Sequence, residues 1–211
     1  MLRSLILIIL GIPVIALLLH TITRIIRYFY KFPIPEFAAN LIDNSLRRRI
    51  QPPDEMPIRH GITPGMTVLE IGPGNGTYTI AAARKIGDSG KLITIDIEPK
   101  MIQRVQKRVQ KEGISNIEAR VGNVFDLPFE DNSFDLVYMI AVIGEIPTPE
   151  MAMNEFFRVL SPQGSLVFSE ILMDPDYPRS KALTRLAENA GFQLDKKTGG
   201  FFSYTLIFTK V

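Results

Sequence analysis

Gly72, Gly74 and Gly76 alternate directly after the apolar run Val68, Leu69 and Ile71, and Asp96 follows twenty residues beyond Gly76. Glycines at the end of a buried strand allow a tight turn and close backbone approach to a ligand. A carboxylate at the end of the next strand can accept both hydroxyls of a ribose, so the pair indicates a nucleoside ligand. Spacing narrows the class. A dinucleotide fingerprint reads G-x-G-x-x-G, but here Thr77 stands where the last glycine belongs, which disfavours NAD. A P-loop would close on Gly-Lys-Ser/Thr; Gly76-Thr77-Tyr78 excludes ATP in that mode. Taken singly, the glycines could form a plain strand-to-helix turn and Asp96 a helix N-cap. Their common register favours the ligand.

Composition removes other chemistries. The 211 residues include no cysteine and only two histidines, His20 and His60. Disulfides, thiolate nucleophiles, cysteine zinc sites and thiol-based arsenic chemistry are excluded, and no metal centre is expected. Net charge is +2, but eight Lys/Arg against four Asp/Glu fall in residues 1–60, while residues 61–211 carry sixteen against eighteen. A slightly acidic chemical domain argues against a nucleic-acid partner.

Positioning the glycines and Asp96 requires strands that end together. Short apolar runs predict strands at 67–71, 92–96, 117–121, 134–139, 165–170, 193–197 and 203–209, and helices near 78–86, 100–112, 149–160 and 179–190. This alternation specifies an α/β fold: a mostly parallel, doubly wound sheet with ligands beyond the C-terminal strand ends.

Residues 68–77 resemble motif I of the class I S-adenosylmethionine-dependent methyltransferases. Residues 95–101 resemble the family's acidic second motif and 122–129 the third, while 132–137 and 155–164 resemble the fourth strand and a later segment of the domain. The pattern is similar to the branch of quinone and other small-molecule or lipid methyltransferases. The resemblance covers residues 61–211 and implies a seven-stranded Rossmann-like sheet in the order 3-2-1-4-5-7-6, with the seventh strand antiparallel. It implies S-adenosylmethionine as cofactor. Gly72, Gly74, Asn75 and Gly76 would approach its amino-acid end, Glu70 would help hold the ammonium and Asp96 the ribose. Ile97 would pack on the adenine, beside Val124. Asn123 stands where the family usually has an aspartate; its amide oxygen can still accept the adenine amino group.

The methyl acceptor is less constrained. Relatives that methylate base amines carry an Asn/Asp-Pro-Pro-aromatic motif after the fourth strand, and this chain has the largely apolar stretch from Met139 to Glu145 instead. Glu145 is the candidate catalytic residue, as a base or as the partner of a cationic acceptor, with a helix cap as the plainer reading. Glu170 is a second candidate unless its strand simply emerges into solvent. His60 is expected to pack rather than to catalyse. The acceptor expected is a lipophilic small molecule, either a quinone precursor or a polar lipid. A soluble acceptor or a catalytically silent cofactor-binding module are the alternatives.

Three segments are expected: a membrane anchor at 1–31, a juxtamembrane helix and linker at 32–60, and the methyltransferase domain at 61–211. Residues 4–23 carry no charge, and twenty helical residues span about 30 Å, one hydrocarbon core. No small-residue cleavage site is present, and 5–19 has no polar face, so a single transmembrane helix is preferred to a signal peptide or a surface helix. Arg24 and Arg27 are expected to snorkel beside the aromatic cluster Tyr28, Phe29 and Tyr30. Basic residues dominate after the segment, which places the domain in the cytoplasm. Pro33 and Pro35 should break the helix. A second helix near 35–49 should end in Arg47, Arg48 and Arg49, either solvated or on anionic headgroups.

Overall fold

The computed structural model of the chain describes residues 2–31 and 43–211. Among these, seven strands form one sheet: β1 (Thr67–Ile71), β2 (Lys91–Asp96), β3 (Ile117–Val121), β4 (Phe134–Ile140), β5 (Leu160–Ile171), β6 (Phe192–Gly199) and β7 (Ser203–Lys210). Their order is β3-β2-β1-β4-β5-β7-β6, with β7 antiparallel to both neighbours and the other pairings parallel. Sheet and order are those expected from the sequence. Strands β1 and β4 are mainly apolar, broken by Glu70 and Asp135, because helices cover both faces, leaving Leu69, Val137 and Met139 fully buried.

The helices among the described residues are, in chain order, α1 (Leu2–Phe29), α2 (Ser45–Ile50), α3 (Met56–Arg59), α4 (Thr77–Ile86), α5 (Pro99–Glu112), α6 (Pro149–Val159) and α7 (Ser180–Asn189). Proline opens α5, the Glu98 carboxylate caps it by accepting from the Lys100 amide at 3.3 Å, and left-handed Gly113 closes it. Strand β5 begins five residues before the expected start. Leu160 already pairs with Phe134, a register shift follows, and Gln163 takes a left-handed conformation (φ 65°). The segment that reads as a turn is therefore an irregular strand start.

At the N-terminus the structure corrects two expectations. Residues 2–29 form one helix, but among the described residues no helix is long and apolar enough to cross a membrane. Arg27 does not snorkel. It is 4% exposed and donates from Nε to Asp176, while Arg24 Nη2 donates to the Tyr177 carbonyl at 3.1 Å and Lys31 Nζ to the Gly144 carbonyl. Ahead of and between these contacts Val14, Ile15, Leu17, Leu18, Leu19, Ile22, Ile25 and Ile26 are exposed.

The Pro33 and Pro35 break and most of the second helix expected from residue 35 lie outside the described residues. The described helix α2 is capped by Asn44, whose Oδ1 accepts from the Leu46 and Arg47 amides, each at 3.0 Å. Arg47, expected at a solvated or membrane-facing helix end, is instead buried against the sheet.

Candidate active site

The C-terminal ends of β1, β2 and β4 open into a cavity of about 260 Å³. This is the place a doubly wound sheet reserves for ligands. Of the residues singled out from sequence, Glu70, Gly72, Gly74, Asn75, Asp96, Ile97, Asn123, Val124 and Glu145 line it. Gly76 is not on the wall; it is the left-handed N-cap of α4 (φ 79°). Glu170 and His60 lie elsewhere.

Gly74 has a left-handed φ of 56°, and a Cβ added there would meet nothing within 4 Å. The space beside it belongs to the cavity, so this loop can admit a ligand against its backbone. A residue not foreseen from sequence braces the loop. Asp43 accepts two bonds from Arg48 at 2.8 Å each, one from Asn75 Nδ2 at 2.6 Å and one from Thr77 Oγ1 at 2.6 Å. Burial opposes its charge, but these hydrogen bonds outweigh burial and hold the pKa down at about 2.

Asp96 stands at the end of β2 and uses Oδ1 to accept the Glu98 amide at 2.9 Å. Burial, only partly offset by backbone hydrogen bonds, pushes its pKa up to about 6. Beyond it Ile97 is half exposed, and Ile97, Val124 and Phe125 give the cavity an apolar wall suited to a flat ring. Asn123 Oδ1 already accepts the Phe125 amide at 3.0 Å, so an adenine amino group would take the second lone pair.

At the other end Glu70 is buried, with Thr79 Oγ1 donating at 2.6 Å and Tyr138 Oη at 2.8 Å to its two oxygens. Burial pushes its carboxyl up from the ordinary range. Arg47 faces the same cavity with its guanidinium 5.7 Å from the Tyr78 ring centre. Its Nη2 donates to the Ile140 carbonyl at 3.4 Å, and its buried Nε has no hydrogen-bond partner. A guanidinium on the cavity wall fits a carboxylate on the ligand. S-adenosylmethionine suits these residues as a set: a ribose for Asp96, a flat base for the apolar wall, a glycine loop for close approach, and a carboxylate for Arg47.

Glu145 lies in a 3₁₀ turn (Ile143–Glu145) after β4, with Ile140, Val142, Ile146 and Pro147 beside it on the cavity wall. Its Oε2 is 3.8 Å from Arg27 Nη2. Left-handed Ala141 (φ 56°) marks where the chain leaves β4, a conformation that stores strain in a non-glycine residue. Glu170 does not emerge into solvent: it is 1% exposed, and burial raises its pKa well above the carboxylate range. His60 packs. Its Nε2 meets Ser169 Oγ at 2.9 Å, its ring centre lies 5.1 Å from that of Tyr138, and burial pushes its pKa down to about 3.

A methyltransferase domain family model matches residues 62–198. Over 117 residues the chain is 32% identical to an arsenite methyltransferase from Halobacterium salinarum, covering 56% of this chain and 30% of that protein. Over 123 residues it is 34% identical to a ubiquinone/menaquinone biosynthesis C-methyltransferase from Salmonella arizonae, covering 58% and 49%. The chain thus spans half or less of the length of these relatives. A crystal structure of a SAM-dependent methyltransferase from Aquifex aeolicus superposes with a TM-score of 0.79 at 22% identity, covering 85% of this chain and all of that one, a likeness of fold.

Proposed function

Because the chain belongs to the methyltransferase domain family, whose model matches residues 62–198, we propose that it transfers a methyl group from S-adenosylmethionine to a lipophilic small molecule, a quinone precursor or a polar lipid. The observation that carries this reading is the composition of one cavity: Asp96, the glycine loop and Arg47 suit the cofactor, while Glu145 stands among Ile140, Val142, Ile146 and Pro147 where an apolar acceptor can lie. Of the relatives' named substrates, arsenite is the poorer guide, since a chain without cysteine has no thiolate to hold arsenic.

The bound cofactor supplies an electrophilic methyl group on a cationic sulfur. Asp96 and Arg47 fix the two ends of the ligand, so the reacting carbon is held at one place. The apolar wall keeps water from competing with the acceptor. Glu145 takes a proton from the acceptor or orients its nucleophilic atom. Pairing with Arg27 holds the Glu145 carboxylate in position.

We also propose that α1 attaches the protein to a membrane with the domain on the cytoplasmic face. The exposed apolar side chains between Val14 and Ile26 support attachment, and the excess of basic residues after them suits the anionic lipids of a cytoplasmic leaflet. The test is incubation of full-length protein with methyl-labelled S-adenosylmethionine and a lipid extract. Label in the organic phase is expected; label in a water-soluble product would replace the lipophilic acceptor with a soluble one.

A further inference from the structure

We propose that the turn between β6 and β7 is a second membrane-contact element, which seats Phe201 and Phe202 in the headgroup region of the bilayer that receives α1; this inference rests on the membrane reading of α1. Phe201 and Phe202 are 65% and 73% exposed, with ring centres 5.6 Å apart, and Met173 beside their segment is exposed as well. Single exposed apolar residues are ordinary, but adjacent aromatic rings at a turn apex mark a contact surface.

Their exposure is built in. Gly199 has φ 80°, and a Cβ there would come within 2.3 Å of the Ser203 carbonyl oxygen. The Gly200 amide donates to that carbonyl at 2.8 Å, closing the turn. On the inner side the Leu172 amide donates to the Phe202 carbonyl at 2.8 Å, and Tyr177 Oη donates to the Phe201 carbonyl. The backbone is pinned on both sides while the rings point away from the core.

Two observations identify the occupant as a bilayer surface. The first is continuity with α1. Arg24 of α1 bonds the Tyr177 carbonyl, and the Tyr177 ring centre lies 6.4 Å from that of Phe201, so the aromatic tip adjoins the end of α1 where Ile22, Ile25, Ile26, Phe29 and Tyr30 are exposed. The second is charge. Lys196 and Lys197 are exposed on β6, about 10 and 7 Å from the strand end at Gly199 at the strand rise of about 3.3 Å per residue. Arg179, two residues after Tyr177, is exposed as well. Asp195 is the exposed acid on β6, while Asp174 and Asp176 are turned inward, Asp176 against Arg27. Aromatic rings beside lysines and arginines match the interface of an anionic leaflet. Gly144 and Glu145 contact the same end of α1, so this arrangement brings the cavity wall close to the lipid surface.

The chain has no tryptophan, so F202W in the full-length protein is a single reporter, and K107W on exposed α5 is its control. Both are mixed with phosphatidylcholine vesicles containing phosphatidylglycerol, with and without bromine on the upper acyl chain. The F202W emission is expected to shift to the blue and to be quenched by brominated lipid, with K107W unchanged. F201W repeats the reading if F202W misfolds by circular dichroism. Protein that sediments with vesicles while the F202W emission stays unquenched would overturn the second contact and leave α1 as the attachment. Protein that does not sediment with vesicles would overturn the membrane reading and this inference with it.

Discussion

Arg27 Nη2 lies 3.8 Å from Glu145 Oε2, so a side chain of the N-terminal helix reaches a residue on the wall of the cavity. Both side chains are largely buried, and Arg27 also donates to buried Asp176. Helix α1 and the candidate base are therefore in direct contact. The Arg27 guanidinium stands beside the Glu145 carboxylate and helps to orient it on the cavity wall.

Glu145→Gln keeps the shape of the side chain and removes its basicity. For a general base, kcat should fall by about two to four decades with the cofactor Kd unchanged. A carboxylate that only pairs with a cationic acceptor would show a raised acceptor KM and a smaller change in kcat. Wild-type values for both constants would leave Glu145 as a cap.

Asp96 gives the site a pH dependence with a definite sign. Burial lifts its pKa from 3.8 to about 6, so its contribution to folding is present in full below 3.8 and is lost as pH rises through 6. Cofactor binding runs the other way, since ribose hydroxyls donate to the ionised carboxylate. Affinity should be level above pH 7 and fall about tenfold for each pH unit below 6. Titration calorimetry between pH 4 and 8 checks it; a level affinity down to about pH 4, the ordinary carboxylate range, would remove Asp96 from the ribose.

Arg47→Met bears on both binding and folding. Removing the buried guanidinium takes the donor from the Ile140 carbonyl and the counter-charge from buried Glu170 and Asp174, so the free protein should lose about 1 to 3 kcal/mol of stability, an effect read apart from the loss of binding. Cofactor affinity should fall by about tenfold to a hundredfold, the loss of a charge-assisted bond. Denaturant titration and calorimetry on the same sample give both numbers. Unchanged affinity would mean that Arg47 does not meet the ligand's carboxylate.

Gly74→Val places a β-branched side chain in a left-handed backbone and points it into the cavity. Binding should be lost beyond detection, and stability should drop by about 1 to 3 kcal/mol from backbone strain. Thermal denaturation with and without cofactor reads both effects, and cofactor-dependent stabilisation that persists in the variant would show that the ligand does not approach Gly74.

The sheet was legible because β1, β2 and β4 are largely buried and so appear as short, mainly apolar runs. The glycine loop was legible through its spacing. Asp43 and Arg47 were not, because they precede the sheet in a segment whose docking no local pattern specifies; the Asp43 bonds to Asn75 and Thr77 exist only once that segment folds over the loop. For Arg24, Arg27 and Lys31 a signal was present. Spacings of three and seven put them on one helix face, as docking requires, whereas snorkelling needs no common face. Glu170 was misplaced because β5 runs on to buried Ile171, past the expected strand end, and keeps Glu170 inside.

The central claim is that the cavity beyond β1, β2 and β4 holds S-adenosylmethionine, and titration calorimetry of full-length wild-type protein and Asp96→Ala at neutral pH tests it most directly. The account predicts one binding site in the wild type and affinity lower by at least about tenfold in the variant, since two charge-assisted acceptor bonds are lost. Equal affinity in the two proteins, or no binding to a folded wild type, would contradict it.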